Sequence, residues 1–208
     1  MATAASREAM DMAGMATHDL ASLHLATTSP DYPTPSTASI AHGNLGAPEA
    51  CAAVEIRAAC AGFIMGMVAA SNGLRMQPED GSTALVVGTE LTSRRVNPHD
   101  RRSAILFGDG AGAVVLRMQP GASRPASASL VHPDREAVYT PAGGCAQPVD
   151  GPDDMKGRLV MDGPAVKKHA LDIMTCVSRM SAFKAGLLDG NGKIDWSQID
   201  LFVPHQAN

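Results

Sequence analysis

The chain has 208 residues, a formal charge of −4, and only 3% aromatic residues against 45% hydrophobic ones. That length can bury a real core in one or two domains. The mildly acidic balance and the lack of a long basic run argue against a nucleic-acid partner, and no segment approaches the roughly 20 apolar residues of a membrane span.

The first residues read as a helix from Ala4, closed by Gly14. They carry Glu8 and Asp11, with Asp19 soon after, and lack the charged start and apolar block of a signal peptide. The expected location is the cytoplasm, or an organelle stroma after loss of a leader. Leu20 to Thr27 reads as a short apolar strand, followed by a rigid loop, Thr28 to Pro35, with three prolines. Ser36 can cap a helix from Thr37 to about Leu45, which Gly46 ends. Ala53 to Ala58 is expected as a buried strand and Cys60 to Leu74 as an apolar helix. Gly62, Gly66 and Gly73 weaken that helix, so they point to close packing against another backbone. Thr83 to Gly88 reads as a central strand with apolar character on both faces, as a parallel sheet requires.

Arg94 to Arg102 reads as a polar loop. Ala104–Phe107 and Ala113–Leu116 read as two short strands around a tight glycine turn, Gly108-Asp109-Gly110-Ala111-Gly112. That spacing fits neither a dinucleotide fingerprint nor a P-loop. Pro120 to Pro152 is rich in Pro, Gly, Ala and Ser and suits a connector. Pro164 can open a long helix running to about Ala185. Trp196–Ile199 reads as a turn of helix and Leu201–Val203 as a strand. Alternating strands and helices predict an α/β fold with a mostly parallel sheet. The expected division is 1–119, a connector over 120–152, and 153–208.

Two residues stand out chemically. Cys60, in Ala58-Ala59-Cys60-Ala61-Gly62-Phe63, sits where a strand becomes a helix. Unpaired amides and the helix dipole favour the nucleophilic thiolate there, and small neighbours leave the sulfur approachable. The competing reading is an inert small residue filling a tight joint, as buried cysteines usually are. His205, in Val203-Pro204-His205-Gln206-Ala207-Asn208, follows the carboxyl end of a strand, where open α/β sheets gather functional groups. Its plainer reading is a polar loop. Arg94, Arg95, Arg101 and Arg102 could meet phosphates or form a solvated loop beside Asp100 and Glu90. Met65, Met67 and Met76 read as core filler. Cys51, Cys60, Cys145 and Cys176 have no zinc-ligand spacing, so no metal is expected.

Together these segments resemble β-ketoacyl-acyl-carrier-protein synthase III. The resemblance rests on the Cys60 segment, on Asp100-Arg101 with Ile105 to Ala113, on Met161-Asp162-Gly163, and on Val203 to Asn208; Ala26 to Pro30 and Pro35 to Ala38 also fit. It implies a thiolase-like layered fold of two related halves, incomplete here, and a homodimer. The implied reaction condenses an acyl-coenzyme A primer with malonyl-acyl-carrier protein, starting fatty-acid or polyketide synthesis. It implies Cys60 as the acyl-accepting nucleophile and His205 as a partner in decarboxylative condensation. Arg101 would contact coenzyme A, with Ala207 and Asn208 along its pantetheine arm. Coenzyme A thioester is then a substrate, and no resident cofactor is expected. The same resemblance places Thr34 beside the partner subunit's acyl pocket. Arg102 stands where glycine is usual and Lys167 where phenylalanine is often found. The family's first strand would precede Met1 and its catalytic Gly-Asn-Thr-Ser segment would follow Asn208, so the 208 residues alone are expected to be inactive in condensation. The alternatives are a same-fold acyltransferase that does not decarboxylate, or a non-catalytic fragment.

Overall fold

The computed structural model describes residues 1–76, 81–121, 125–134, 136–148 and 157–206. Their contacts separate two compact units: Met1–Thr92 with Gly108–Arg124, and Ser93–Phe107 with Pro125–Asn208. Each is described by itself.

The first unit is built on a four-stranded sheet. Its helices are α1 (Ala2–Met12), α2 (Thr37–Leu45) and α3 (Gly62–Arg75). Its strands are β1 (Leu20–Ala26), β2 (Ala52–Ile56), β3 (Thr83–Leu91) and β4 (Asp109–Arg117), in the order β2-β1-β3-β4. β1 is parallel to both β2 and β3, and β4 runs antiparallel to β3. The period-two geometry of a strand sends alternate residues to opposite faces. Leu23, Leu25, Leu85 and Val87 therefore enter one core with Met10 of α1 and Ala38, Ala41 and Leu45 of α2. Ala84 and Val86 enter the other with Ala70 and Leu74 of α3. Helices on both faces explain why the middle of β3, from Ala84 to Val87, is apolar throughout.

Local chemistry sets the helix ends. Ser36 Oγ accepts the Ser39 amide hydrogen, and Gly46 closes α2 at φ 68°. The N-terminal helix begins at Ala2, two residues earlier than its sequence pattern implies. Two sequence expectations fail beside the glycine run. Ala104–Phe107 is not a strand: Ala104 ends α4 (Arg101–Ala104), a single helical turn capped by the Asp100 carboxylate. The stretch Asp109–Gly112 is not a turn but the opening of β4, where Gly110 and Gly112 pair with Glu90 and Gly88. Ladder hydrogen bonds need only backbone, so tertiary pairing overrides the weak strand propensity of glycine.

In the second unit, β5 (Val138–Tyr139) pairs with β6 (Val160–Met161), and α5 (Gly163–Lys184) follows. β5 falls within the stretch that composition suggests is a connector. Asp162 caps α5 by accepting the Ala165 amide hydrogen, with proline in the first turn. A 3₁₀ turn occupies Trp196–Gln198. Leu201–Val203 does not form the expected strand. It is exposed coil and pairs with none of the described residues. Within the described residues, no helix is long and apolar enough to cross a membrane.

A histidine is set into the apolar sheet. His24 of β1 is buried; its Nε2 lies 3.1 Å from Ser22 Oγ, and its Nδ1 has no hydrogen-bond partner among the described residues. Burial holds its pKa below the ordinary histidine value. The unfolded chain therefore binds the extra proton more readily. The associated stability is present above about pH 6.5 and is lost as pH falls from there toward the folded-state value. We expect the urea midpoint to drop more between about pH 7.5 and pH 5.5 in the wild type than in His24→Leu; equal drops in the two proteins would show that His24 does not carry this sensitivity.

Candidate functional site

The candidate site in the first unit lies at the carboxyl ends of the parallel strands, where open α/β sheets place their chemistry. Beyond Ile56 the chain passes Arg57 and Ala58 and enters a 3₁₀ turn, Ala59–Ala61, before α3 begins at Gly62. Cys60 is in this turn rather than in the helix itself, and it is exposed. Ala59 has a φ of 45°, an uncommon conformation for a residue with a side chain. The strain sits at the residue immediately before the thiol, at the sharp change from strand to helix.

Two glycines let α3 approach the sheet closely. A Cβ on Gly62 would lie 3.1 Å from Ala26 Cβ, and one on Gly66 would lie 3.0 Å from Val86 Cγ1. Gly73 does not share this role, since nothing lies within 4 Å of its would-be Cβ. The expectation of close packing thus holds for Gly62 and Gly66 and fails for Gly73. Phe63 packs over Gly88, whose bare Cα leaves room for the ring.

Carboxylates fix the loops around this end of the sheet. Glu90 accepts hydrogen bonds from the Thr28 amide at 2.7 Å, the Thr28 hydroxyl at 2.9 Å and the Ser29 hydroxyl at 2.6 Å. The Leu91 amide donates to Ser29 Oγ. Glu55 accepts from the Thr37 amide at the start of α2 and from Arg57 Nε. Charge-assisted bonds of this kind hold the beginning and end of the proline-rich loop. The sequence reading places Glu90 beside the arginine loop and does not single out Glu55, because their partners Thr28, Ser29 and Thr37 are distant in sequence.

The other sequence-derived candidates lie in the second unit. His205 is exposed. Just before it, Phe202 meets Trp196 edge to face, with centroids 5.5 Å apart. These rings, Leu171, Met174, Ile194 and Pro204 line an open groove of about 570 Å³. Arg101 is the exposed first residue of α4. Arg102 pairs with Asp100 at 3.1 Å, and hydrogen bonding to Arg102 holds the Asp100 carboxyl below the usual range. Ala207 and Asn208 lie outside the described residues. Among the cysteines only Cys51 is buried, which pushes its thiol pKa up; Cys145 and Cys176 are exposed like Cys60. Of the three methionines read as core filler, Met67 packs on the α3 core, while Met65 and Met76 are exposed.

One cluster escaped sequence reading altogether. His132, Asp134 and His169 bring metal-ligating atoms within 4.8 Å of one another. Their separation along the chain leaves no local motif.

Comparison with known proteins agrees with this architecture. Residues 54–132 match the family model of 3-oxoacyl-[acyl-carrier-protein] synthase III. The chain is 40% identical to a β-ketoacyl-[acyl-carrier-protein] synthase III of Symbiobacterium thermophilum, over 98% of this chain and 60% of that protein. It is 35% identical to an acetoacetyl-CoA synthase from a Streptomyces strain, over 100% of this chain and 62% of that protein. A crystal structure of 3-oxoacyl-(acyl carrier protein) synthase III from Pseudomonas aeruginosa matches with a TM-score of 0.74 at 30% identity, over 89% of this chain and 55% of that one. The chain spans about 60% of the length of the curated relatives it matches. The chain is thus similar to synthase III proteins and shares their thiolase-like α/β fold.

The packing of α3 makes a paired prediction. Gly66→Val forces a side chain into Val86 and should destabilise the protein by about 1–3 kcal/mol through overpacking. Gly73→Ala meets no obstruction and should stabilise by up to about 1 kcal/mol through helix propensity. Urea denaturation of both variants checks the contrast, and shifts of the same sign would contradict it.

Proposed function

We propose that the full-length protein is a condensing acyltransferase that joins an acyl-coenzyme A primer to malonyl-acyl-carrier protein through an acyl-Cys60 intermediate. The observation that carries this reading is the placement of Cys60: an exposed thiol on a strained turn, between the carboxyl end of β2 and the start of α3. Such a position presents the sulfur to an incoming thioester and directs the first amides of a helix toward the reacting carbonyl.

The chemistry proceeds in two half-reactions. The Cys60 sulfur attacks the primer thioester carbonyl, and coenzyme A leaves as its thiol, carrying the proton that Cys60 gives up. The malonyl thioester then loses carbon dioxide, and the electron pair of the broken C–C bond becomes an enolate. His205 donates a hydrogen bond to the enolate oxygen. The enolate carbon attacks the acyl-Cys60 carbonyl, the electron pair of the broken C–S bond returns to Cys60 as thiolate, which takes a proton from solvent, and the β-ketoacyl thioester leaves on the carrier. Arg101 serves the coenzyme A end of the primer, with Ala207 and Asn208 along the pantetheine arm. The enzyme works as a cytoplasmic homodimer without a resident cofactor. Its product enters fatty-acid or polyketide synthesis.

A relative named acetoacetyl-CoA synthase favours a second form of this reading, in which the malonyl group is carried on coenzyme A. Offering malonyl-coenzyme A and malonyl-acyl-carrier protein in parallel distinguishes the two.

Two measurements test the residue roles. Incubated with acyl-coenzyme A, the full-length protein should gain one acyl mass and Cys60→Ala should gain none; acylation of the alanine variant at the wild-type rate would remove Cys60 from the mechanism. His205→Ala should lower carbon dioxide release from malonyl-acyl-carrier protein on the order of 100- to 1000-fold, the usual consequence of losing one oxyanion donor. Acyl loading should fall much less. Equal losses in the two half-reactions would contradict this division.

A further inference from the structure

We propose that His132, Asp134 and His169 form a binding site for a divalent transition-metal ion, Zn²⁺ being the natural occupant to test, separate from the acyl-transfer chemistry. Each residue offers one ligand atom, and the three atoms lie within 4.8 Å of one another. Asp134 Oδ2 is 2.9 Å from His169 Nε2, and the His132 and His169 rings lie 4.1 Å apart between centroids. With metal–ligand bonds of about 2.0–2.2 Å, neighbouring donors of a tetrahedral ion stand roughly 3.3 Å apart. The donor atoms thus need small side-chain movements, not a refolding, to converge on one ion.

The donor set is chemically apt. Two imidazoles and a carboxylate suit Zn²⁺, Ni²⁺ or Cu²⁺ far better than Ca²⁺ or Mg²⁺, which prefer all-oxygen shells. Partial exposure of the cluster leaves room for water to complete the coordination. The carboxylate is also oriented from behind. Asp134 Oδ1 accepts the amide hydrogens of Glu136 and Ala137, at 3.1 and 3.2 Å, which turns Oδ2 toward the imidazoles. Outer contacts of this kind fix the ligands of established metal sites.

The backbone holds the two segments together before any ion arrives. The Asp162 amide donates to the Ala137 carbonyl, and β5 pairs with β6 immediately ahead of α5. The segment carrying His132 and Asp134 is therefore anchored beside the first turns of α5, which carry His169. On binding, Zn²⁺ takes the place of the hydrogen between Asp134 and His169 Nε2, and the neutral imidazole then carries its one ring hydrogen on Nδ1. No redox change is involved. The consequence is a clamp between the loop and the helix, stabilising the folded form by mass action.

Zn²⁺ titration by calorimetry provides the test. Exposed Cys60, Cys145 and Cys176 are first alkylated with iodoacetamide, so that thiols do not compete. One equivalent should bind per chain. His169→Gln and His132→Ala should each weaken binding by more than about tenfold, the lower bound seen even for outer-shell losses, while His18→Ala leaves it unchanged. As a readout that needs no variant, Zn²⁺ should protect His132 and His169 of the wild-type protein, but not His18, from diethylpyrocarbonate. Loss of affinity in the two variants together with selective protection supports the site. Absence of stoichiometric binding, binding unaffected by both variants, or protection indifferent to position overturns it, leaving the cluster a simple aspartate–histidine pair.

Discussion

The close approach of α3 to the sheet is the constraint on which the first unit depends. Gly62 faces Ala26 and Gly66 faces Val86 at distances that leave no slack for a side chain. Without that approach the helix would ride higher, and the joint between β2 and α3 would not need its tight 3₁₀ turn. The positive φ of Ala59 is the local counterpart of the same constraint. A chain that must leave β2 and enter a helix lying hard against β1 and β3 has few residues in which to turn. The turn projects the Cys60 position outward instead of burying it, so an apolar packing requirement on one side produces an exposed thiol on the other. Glycine in a helix normally costs about 1 kcal/mol relative to alanine, and at Gly66 that cost is offset by contact with the core.

Carboxylates complete what the packing begins. Glu55 and Glu90 stand at the carboxyl ends of β2 and β3, and each is occupied by groups from the chain around the proline-rich loop. Glu55 also satisfies an amide that α2 could not pair internally, supplementing the Ser36 cap. The loop is thus tied at both ends by charge-assisted bonds, with its prolines restricting what lies between. His24 is the opposite case: a polar group in the sheet whose Nδ1 finds no partner among the described residues, on the face covered by α3, beside Val86 and Gly66. Burial of this kind makes stability depend on pH without contributing to the reacting end of the sheet.

Much of this was legible because it was local. Ser36 and Gly46 bracket a helix, Asp162 and Pro164 open another, and the apolar run of β3 requires cover on both faces. Where pairing across the sheet decides, sequence reading fails. A glycine run reads as a turn, yet Gly110 and Gly112 extend β4, because β3 offers their backbone a ladder. Ala104–Phe107 has strand-like side chains, yet the Asp100 cap starts a helical turn just before it. Leu201–Val203 has the composition of a strand but lacks a pairing partner among the described residues. The Cys60 position was readable from its small neighbours and the following helix; the φ of Ala59 was not, since alanine gives no sign of a left-handed backbone. The cluster of His132, Asp134 and His169 was invisible, because only the β5–β6 pairing and the start of α5 bring distant segments together.

The two units differ in what holds them, and this bears on the proposed chemistry. The first has apolar cores on both faces of its sheet. In the second, α5 runs for 22 residues with Ala182 as its one buried position among the described residues. Short-range polar contacts shape the segment after it: Asp189 accepts from the Asn191 and Lys193 amides, and Asp195 accepts from Ser197 and Gln198. Exposed hydrogen bonds of this kind compete with water. On the proposed mechanism, the thiol that accepts the acyl group stands on the unit with the packed sheet, while the histidine that steadies the enolate follows an exposed segment of the other. Acyl transfer to Cys60 draws on geometry that packing enforces. Condensation also needs His205, which follows a segment where Phe202 meets Trp196 edge to face, so the two half-reactions draw on differently built surroundings.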